Sequence, residues 1–162
     1  MRLMFKKFGG KECRNYKHFF SGLGIMVRTF SNLVHVEFDF EKPVGKNGEN
    51  CFSASGMDNA VRFKHIDFSH KNRWKEVKLN NNAKITYNKV LKKAKSVEGQ
   101  KYDFLAIFLK EFIPIGLQDP SKWYCSEVCS WLCGFKKCAM SPIKLYKKVL
   151  KLMEKGRVVP IL

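Results

Sequence analysis

Residues Leu33-Val34-His35-Val36-Glu37-Phe38-Asp39-Phe40 alternate between the two faces of an extended chain, and this stretch decides the fold class. A period of two belongs to a half-buried β-strand, in which successive side chains point to opposite sides. Val34, Val36, Phe38 and Phe40 make one face; Leu33, His35, Glu37 and Asp39 make the other. The turn-rich run Glu41-Lys42-Pro43-Val44-Gly45-Lys46-Asn47-Gly48 then leads to a second strand around 50–55. A third strand is expected over 60–66, after Gly56-Met57-Asp58-Asn59, and a fourth near 74–79.

Beyond residue 80 the period lengthens. Ala83, Tyr87, Val90, Leu91, Ala94 and Val97 recur at helical spacing, with lysines mostly on the other side and Gly99 as the stop. A short apolar element covers 102–112 and ends before Pro114, and Asp119-Pro120-Ser121 offers capping groups for a helix over 123–135. Ser141-Pro142 places a cap and a first-turn proline ahead of a last helix running to about 154, and 157–161 could add an edge strand. Strands first and helices second predict an α+β architecture, an antiparallel sheet packed against helices. No internal repeat or low-complexity linker divides the chain, and 162 residues suit a single domain over 1–162.

With 45% hydrophobic and 14% aromatic residues, the chain can bury a sizeable core, which excludes wholesale disorder. No apolar run approaches the ~18 residues of a membrane span. Met1-Arg2-Leu3-Met4-Phe5-Lys6-Lys7-Phe8 has charge but no apolar block behind it, so no secretory signal is read there. The expectation is a soluble protein of a reducing, cytoplasmic compartment (for a viral chain, the host cytoplasm or the virion). The formal charge of +17 suits an anionic partner such as nucleic acid, anionic lipid or another polymer. Lysines scattered from Lys6 to Lys155 equally describe a solvated surface. Residues 1–20, Cys13 included, carry no signal beyond charge and aromatic content.

Cys125, Cys129, Cys133 and Cys138 fall close together, but their spacing lacks the CxxC knuckle and no histidine is near enough to complete a zinc set. On a helix Cys125, Cys129 and Cys133 share a stripe, where cysteine acts as a small hydrophobe. Metal binding is therefore not expected. Cys125 differs because it stands at a helix start, in Lys122-Trp123-Tyr124-Cys125-Ser126-Glu127, where free N–H groups and the helix dipole favour thiolate. Trp123 and Tyr124 are candidates to wall a pocket beside it. A nucleophilic cysteine needs a base, and His35 is the best placed of four histidines because a strand sets its direction. His18 lies in a Phe-rich irregular region, His65 alternates with Phe63 and Val61, and His70 reads as a loop residue. Glu37, two residues from His35 and on its face, can orient the imidazole and favour its charged form.

Val34-His35-Val36-Glu37-Phe38, followed some ninety residues later by Trp123-Tyr124-Cys125-Ser126-Glu127, resembles the circularly permuted NlpC-like branch of papain-fold thiol hydrolases. That branch includes YiiX and YaeF type proteins of bacteria and related viral members, with lecithin retinol acyltransferase a more distant relative. Cys51-Phe52-Ser53-Ala54-Ser55 with Val61-Arg62, Gly99-Gln100-Lys101-Tyr102-Asp103-Phe104, and Ser141-Pro142 with Leu145-Tyr146 extend the resemblance over about 20–150. It implies a papain-like permuted fold, Cys125 as nucleophile and His35 as general base. For the third, polar member, Glu37 comes first because it shares the His35 face, with Ser53 or Ser55 on the following strand as the alternative. The expected activity is that of a cysteine hydrolase (amidase or peptidase, ester or thioester hydrolase) or an acyltransferase, working without a cofactor through an acyl-enzyme. The alternative is a basic protein that binds nucleic acid or another polyanion on the same scaffold.

Overall fold

The computed structural model describes residues 1–9, 26, 30–45, 47–79, 86–103, 121–138 and 140–155. Five strands form one antiparallel sheet: β1 (Arg2–Lys7), β2 (Leu33–Asp39), β3 (Cys51–Ser55), β4 (Ala60–Lys64) and β5 (Trp74–Lys78). Their order is β4-β3-β2-β1-β5. Three helices among the described residues come after them: α1 (Tyr87–Val97), α2 (Cys125–Leu132) and α3 (Pro142–Glu154). The architecture is α+β, with an antiparallel sheet in the first half and helices in the second.

β1 is absent from the sequence reading, yet it lies inside the sheet, between β2 and β5. Leu3 and Phe5 are fully buried on its core face, with Arg2, Met4 and Lys6 on the other. Met4 hides this alternation, because Leu3-Met4-Phe5 reads as one undivided apolar run. The core face continues through Val36, Phe38, Phe52 and Ala54, and the helices cover it with Val90, Ala94, Val128, Leu132, Leu145 and Val149 in a single cluster. Phe5 meets Tyr146 of α3 edge-on at 5.3 Å, and Phe40 meets Tyr87 of α1 at 5.8 Å. Burial of each such side chain contributes about 1.5–3 kcal/mol.

The start of β2 departs from strict alternation. Lys6 faces His35 while Lys7 faces Leu33, so Val34 is the extra residue of a bulge. Leu33 therefore joins the core at 3% exposure, and half-buried Val34 does not. This reverses the faces expected for those two residues and leaves the rest of the strand as its alternation predicts.

β2 and β3 pair only at Phe38↔Phe52 and Asp39↔Cys51, and beyond that they part. Small polar groups fill the gap: Ser53 Oγ donates to Val36 O at 2.7 Å, and Cys129 Sγ lies 3.7 Å from the same oxygen. α2 packs where the strands separate, in contact with both.

β4, the strand expected over 60–66, stops at Lys64. The Asn50 side chain takes both backbone groups of Ile66, donating to its carbonyl at 3.1 Å and accepting from its N–H at 2.9 Å. The chain thus leaves the ladder and crosses to the far edge, where β5 begins. Phe68 in this connection meets Trp74 edge-on at 4.9 Å, and a hollow of about 650 Å³ lies between the crossing chain and Arg2, Met4, Trp74 and Glu76.

α1 begins at Tyr87 after Thr86, and Gly99, with φ at +81°, turns the chain away behind it. α2 starts at Cys125 rather than 123, because Trp123 is extended and bridged to Tyr102. Asp103 N donates to Trp123 O at 2.9 Å, and Trp123 N donates to Lys101 O at 3.1 Å. α3 follows Ser141 with Pro142 in its first turn, where the sequence pattern places its start, although the Ser141 hydroxyl makes no cap hydrogen bond. The expected elements at 104–112 and 157–161, the start of the helix at 83–85, and the Asp119-Pro120 cap lie outside the described residues.

Candidate active site

The bulge at Val34 lies directly beside His35, and bulges of this kind re-aim the neighbouring side chain. His35 retains 23% side-chain exposure. Its Nε2 is 2.8 Å from Glu37 Oε1, which leaves Nδ1 for the second partner. That partner is Cys125, whose thiol is hydrogen-bonded to the imidazole. The early strand and the late helix therefore meet at this pair, as their residue types predict.

Cys125 is the first residue of α2, follows the extended Tyr124, and is 3% exposed. The first intrahelical donor of α2 is Glu127, which bonds Tyr124 O at 3.1 Å, so the Cys125 and Ser126 amides precede the ladder. Val36 uses both of its backbone groups in the gap between the strands. Its carbonyl accepts from Ser53, and its N–H donates to the Cys125 sulfur.

Burial alone would lower the His35 pKa and raise that of Cys125. Mutual attraction reverses both. The charge and hydrogen bond of Cys125, and then those of Glu37, raise His35 to about 9. His35 and the Val36 N–H hold the Cys125 thiol below its ordinary value, against burial and the opposing charge of Glu37. Both shifts favour a thiolate beside an imidazolium.

Glu37 is 1% exposed, and burial would push its pKa up. Arg62 on β4 prevents this with a two-pronged grip, Nη2 to Oε1 at 2.8 Å and Nη1 to Oε2 at 2.9 Å. With His35 as the other partner, the carboxyl is held at about 2. Arg62 continues to Asp58 at 2.9 Å, and Lys64 reaches the same carboxylate at 3.3 Å. A chain of alternating charge thus runs from the sulfur to an exposed turn. Arg62 is the residue the sequence reading left without a role. The available signal is chemical: a buried carboxylate calls for a forked donor, and arginine is scarce beside lysine in this chain.

Ser53 and Ser55 are not beside His35. Ser53 is fully buried against Val36, and Ser55 Oγ accepts from the Asp58 N–H at 3.3 Å, so of the three candidates only Glu37 meets the imidazole. Trp123 and Tyr124 flank Cys125 but are buried, the indole N–H bonded to Gln100 Oε1 and the Tyr124 hydroxyl accepting from Met140 N–H. Both act as packing around the cysteine. His65 borders the hollow on the sheet, His70 precedes a 3-10 turn, and His18 lies outside the described residues.

Cys129 and Cys133 are fully buried, and burial raises their thiols, Cys133 to about 12. They serve as small core side chains. Among the described residues no three His, Cys, Asp or Glu side chains are grouped to hold a metal ion, and no helix is long and apolar enough to cross a membrane. No protein-family model, no curated protein and no solved structure matches this chain.

Proposed function

We propose that the protein is a cysteine-dependent hydrolase or acyltransferase on a permuted papain-like frame, with Cys125 as nucleophile, His35 as acid and base, and Glu37 as the group that orients His35. One observation carries this reading: the hydrogen-bonded His35–Cys125 pair, with the imidazole raised to about 9 and the thiol lowered. Buried structural thiols shift the other way, as Cys129 and Cys133 do.

In this reading the Cys125 thiolate attacks the carbonyl carbon of an amide, ester or thioester, and the carbonyl electron pair moves onto oxygen. The Cys125 and Ser126 amides at the helix start stabilise that oxyanion. The tetrahedral centre collapses, the bond to the leaving group breaks, and imidazolium His35 gives the departing atom its proton. The acyl group is then a thioester on Cys125. Neutral His35 removes a proton from water or another acceptor as it attacks the thioester, and collapse returns the thiolate and the imidazolium. Glu37, held ionised by Arg62, keeps the ring aligned through both halves.

The test is p-nitrophenyl acetate at pH 7, followed by intact-protein and peptide mass spectrometry. The expected outcome is one acetyl group per chain, on Cys125, absent from Cys125→Ser and strongly slowed in His35→Gln. Acetylation spread over lysines and other thiols at the same rate in Cys125→Ser overturns the reading.

A further inference from the structure

Three lysines sit on aromatic faces across the helical side of the molecule. Lys93 Nζ of α1 is 4.2 Å from the Trp131 ring centroid, and Lys137 Nζ is 3.8 Å from Trp123. Lys148 Nζ of α3 is 4.1 Å from Phe135, and the two indoles touch at 5.3 Å. Lys93 also donates to Trp131 O at 2.7 Å, and Lys137 to Lys122 O at 3.1 Å. These contacts fix long side chains that would otherwise sweep through solvent, so the charges are held in place on α1, on α3 and in the segment that follows α2.

The flanks of this belt are also cationic. Along α3 and its closing residue, Lys144, Lys148, Lys151 and Lys155 are exposed and follow one another at i, i+4, i+7 and i+11, a straight row about 16 Å long. On α1, Lys89, Lys92 and Lys95 are exposed and no acid interrupts them. The one acid within α3 is Glu154, at its last turn. Acidic side chains instead gather on the sheet side, where Asp39, Asp58 and Glu76 pair with Arg2, Arg62 and Lys64.

We propose that the lysine belt is a docking surface for a nucleic-acid duplex, bound through its phosphates without reading the bases. Charge complementarity supplies the attraction. Trp123 and Phe135 are buried beneath their lysines and half-buried Trp131 is capped by Lys93, so their faces are taken and this favours a duplex over stacking of unpaired bases. The exposed large apolar side chains among the described residues, Phe30 and Met57, lie in turns beside the strands, so among the described residues the belt shows no apolar anchor of the kind a membrane-binding face uses. Lysines as point charges suit phosphates better than the bidentate contacts that specify bases.

The probe is a fluorescent 20-base-pair DNA duplex of arbitrary sequence, titrated with the full chain at 50 and 200 mM salt. Four phosphate contacts by the α3 row weaken binding about 150-fold across that range, given a slope of roughly −0.9 per contact. In Lys144→Gln/Lys151→Gln, with about two contacts left, the same change is about 12-fold. Cys125→Ser retains the wild-type slope, which separates this surface from the proposed chemistry. So does Lys71→Gln/Lys78→Gln, an equal charge change on the sheet side. An absence of duplex binding at 50 mM salt overturns the proposal, as does equal loss in the two double variants. Tight binding to phosphatidylserine vesicles that the duplex fails to displace also overturns it, and assigns the face to a membrane.

Discussion

Replacing Arg62 with methionine tests the charge chain where it is most deeply buried. Arg62 is the first of the groups that lower the Glu37 pKa, and the carboxylate is 1% exposed. A carboxyl held at about 2 in the fold, against an ordinary 4.5, contributes about 3 kcal/mol of stability at neutral pH. The sign follows from the depressed value: the contribution is complete above 4.5 and fades as pH falls through 2. Arg62→Met removes most of it and strands a buried charge, so the variant is about 2–3 kcal/mol less stable at pH 7. About half of that difference has gone near pH 3.2, where Glu37 takes up its proton in the unfolded chain. Urea unfolding of both proteins at the two pH values, followed by tryptophan fluorescence, reads the difference directly. A gap of equal size at both pH values refutes the electrostatic argument, because lost packing alone carries no pH dependence. A gap below about 1 kcal/mol at pH 7 refutes the importance of the pairing.

In Glu37→Gln the imidazole keeps Cys125 but loses its second support. NMR titration is expected to place the His35 midpoint at about 9 in the wild-type protein and lower in the variant. Because the raised value stabilises the fold below 6.5 and ceases to do so as pH passes 9, the variant also loses less stability on going from pH 7 to pH 10; an unmoved midpoint contradicts the role given to Glu37. Phe38 is fully buried, meets the tilted ring of Phe40 at 5.2 Å and faces Phe52 across the strands, so Phe38→Ala costs about 3–5 kcal/mol. A drop in urea midpoint with unchanged slope is the expected signature, and a loss under about 1 kcal/mol would mean that the core closes over the missing ring.

The strand with His35 and Glu37 is legible in the sequence because its polar and apolar residues trade places at every step from Val34 to Phe40. α3 is legible because Ser141-Pro142 marks its start and a clean helical stripe follows. β1 is not, since Met4 lies on the polar face and erases the alternation. The pairing of Glu37 with Arg62 is likewise hidden. It depends on β3 and β4 lying beside β2 in that order, and sheet order is a property of the whole chain. The late start of α2 has the same origin: Trp123 is held extended by Tyr102, some twenty residues away in sequence. Local pattern therefore identifies the sulfur and the imidazole, while long-range pairing determines what holds them.

A strand keeps count in twos, and Val34 breaks that count once. Leu33 and Val36 can both look inward because of this one uneven step, while His35 and Glu37 remain together on the opposite face of the sheet. The residues before the bulge are thereby released from the parity of those after it. Straightening the strand with Val34 kept in it would turn Leu33 out toward solvent without moving the imidazole, and one further insertion beyond His35 would exchange the site and the core.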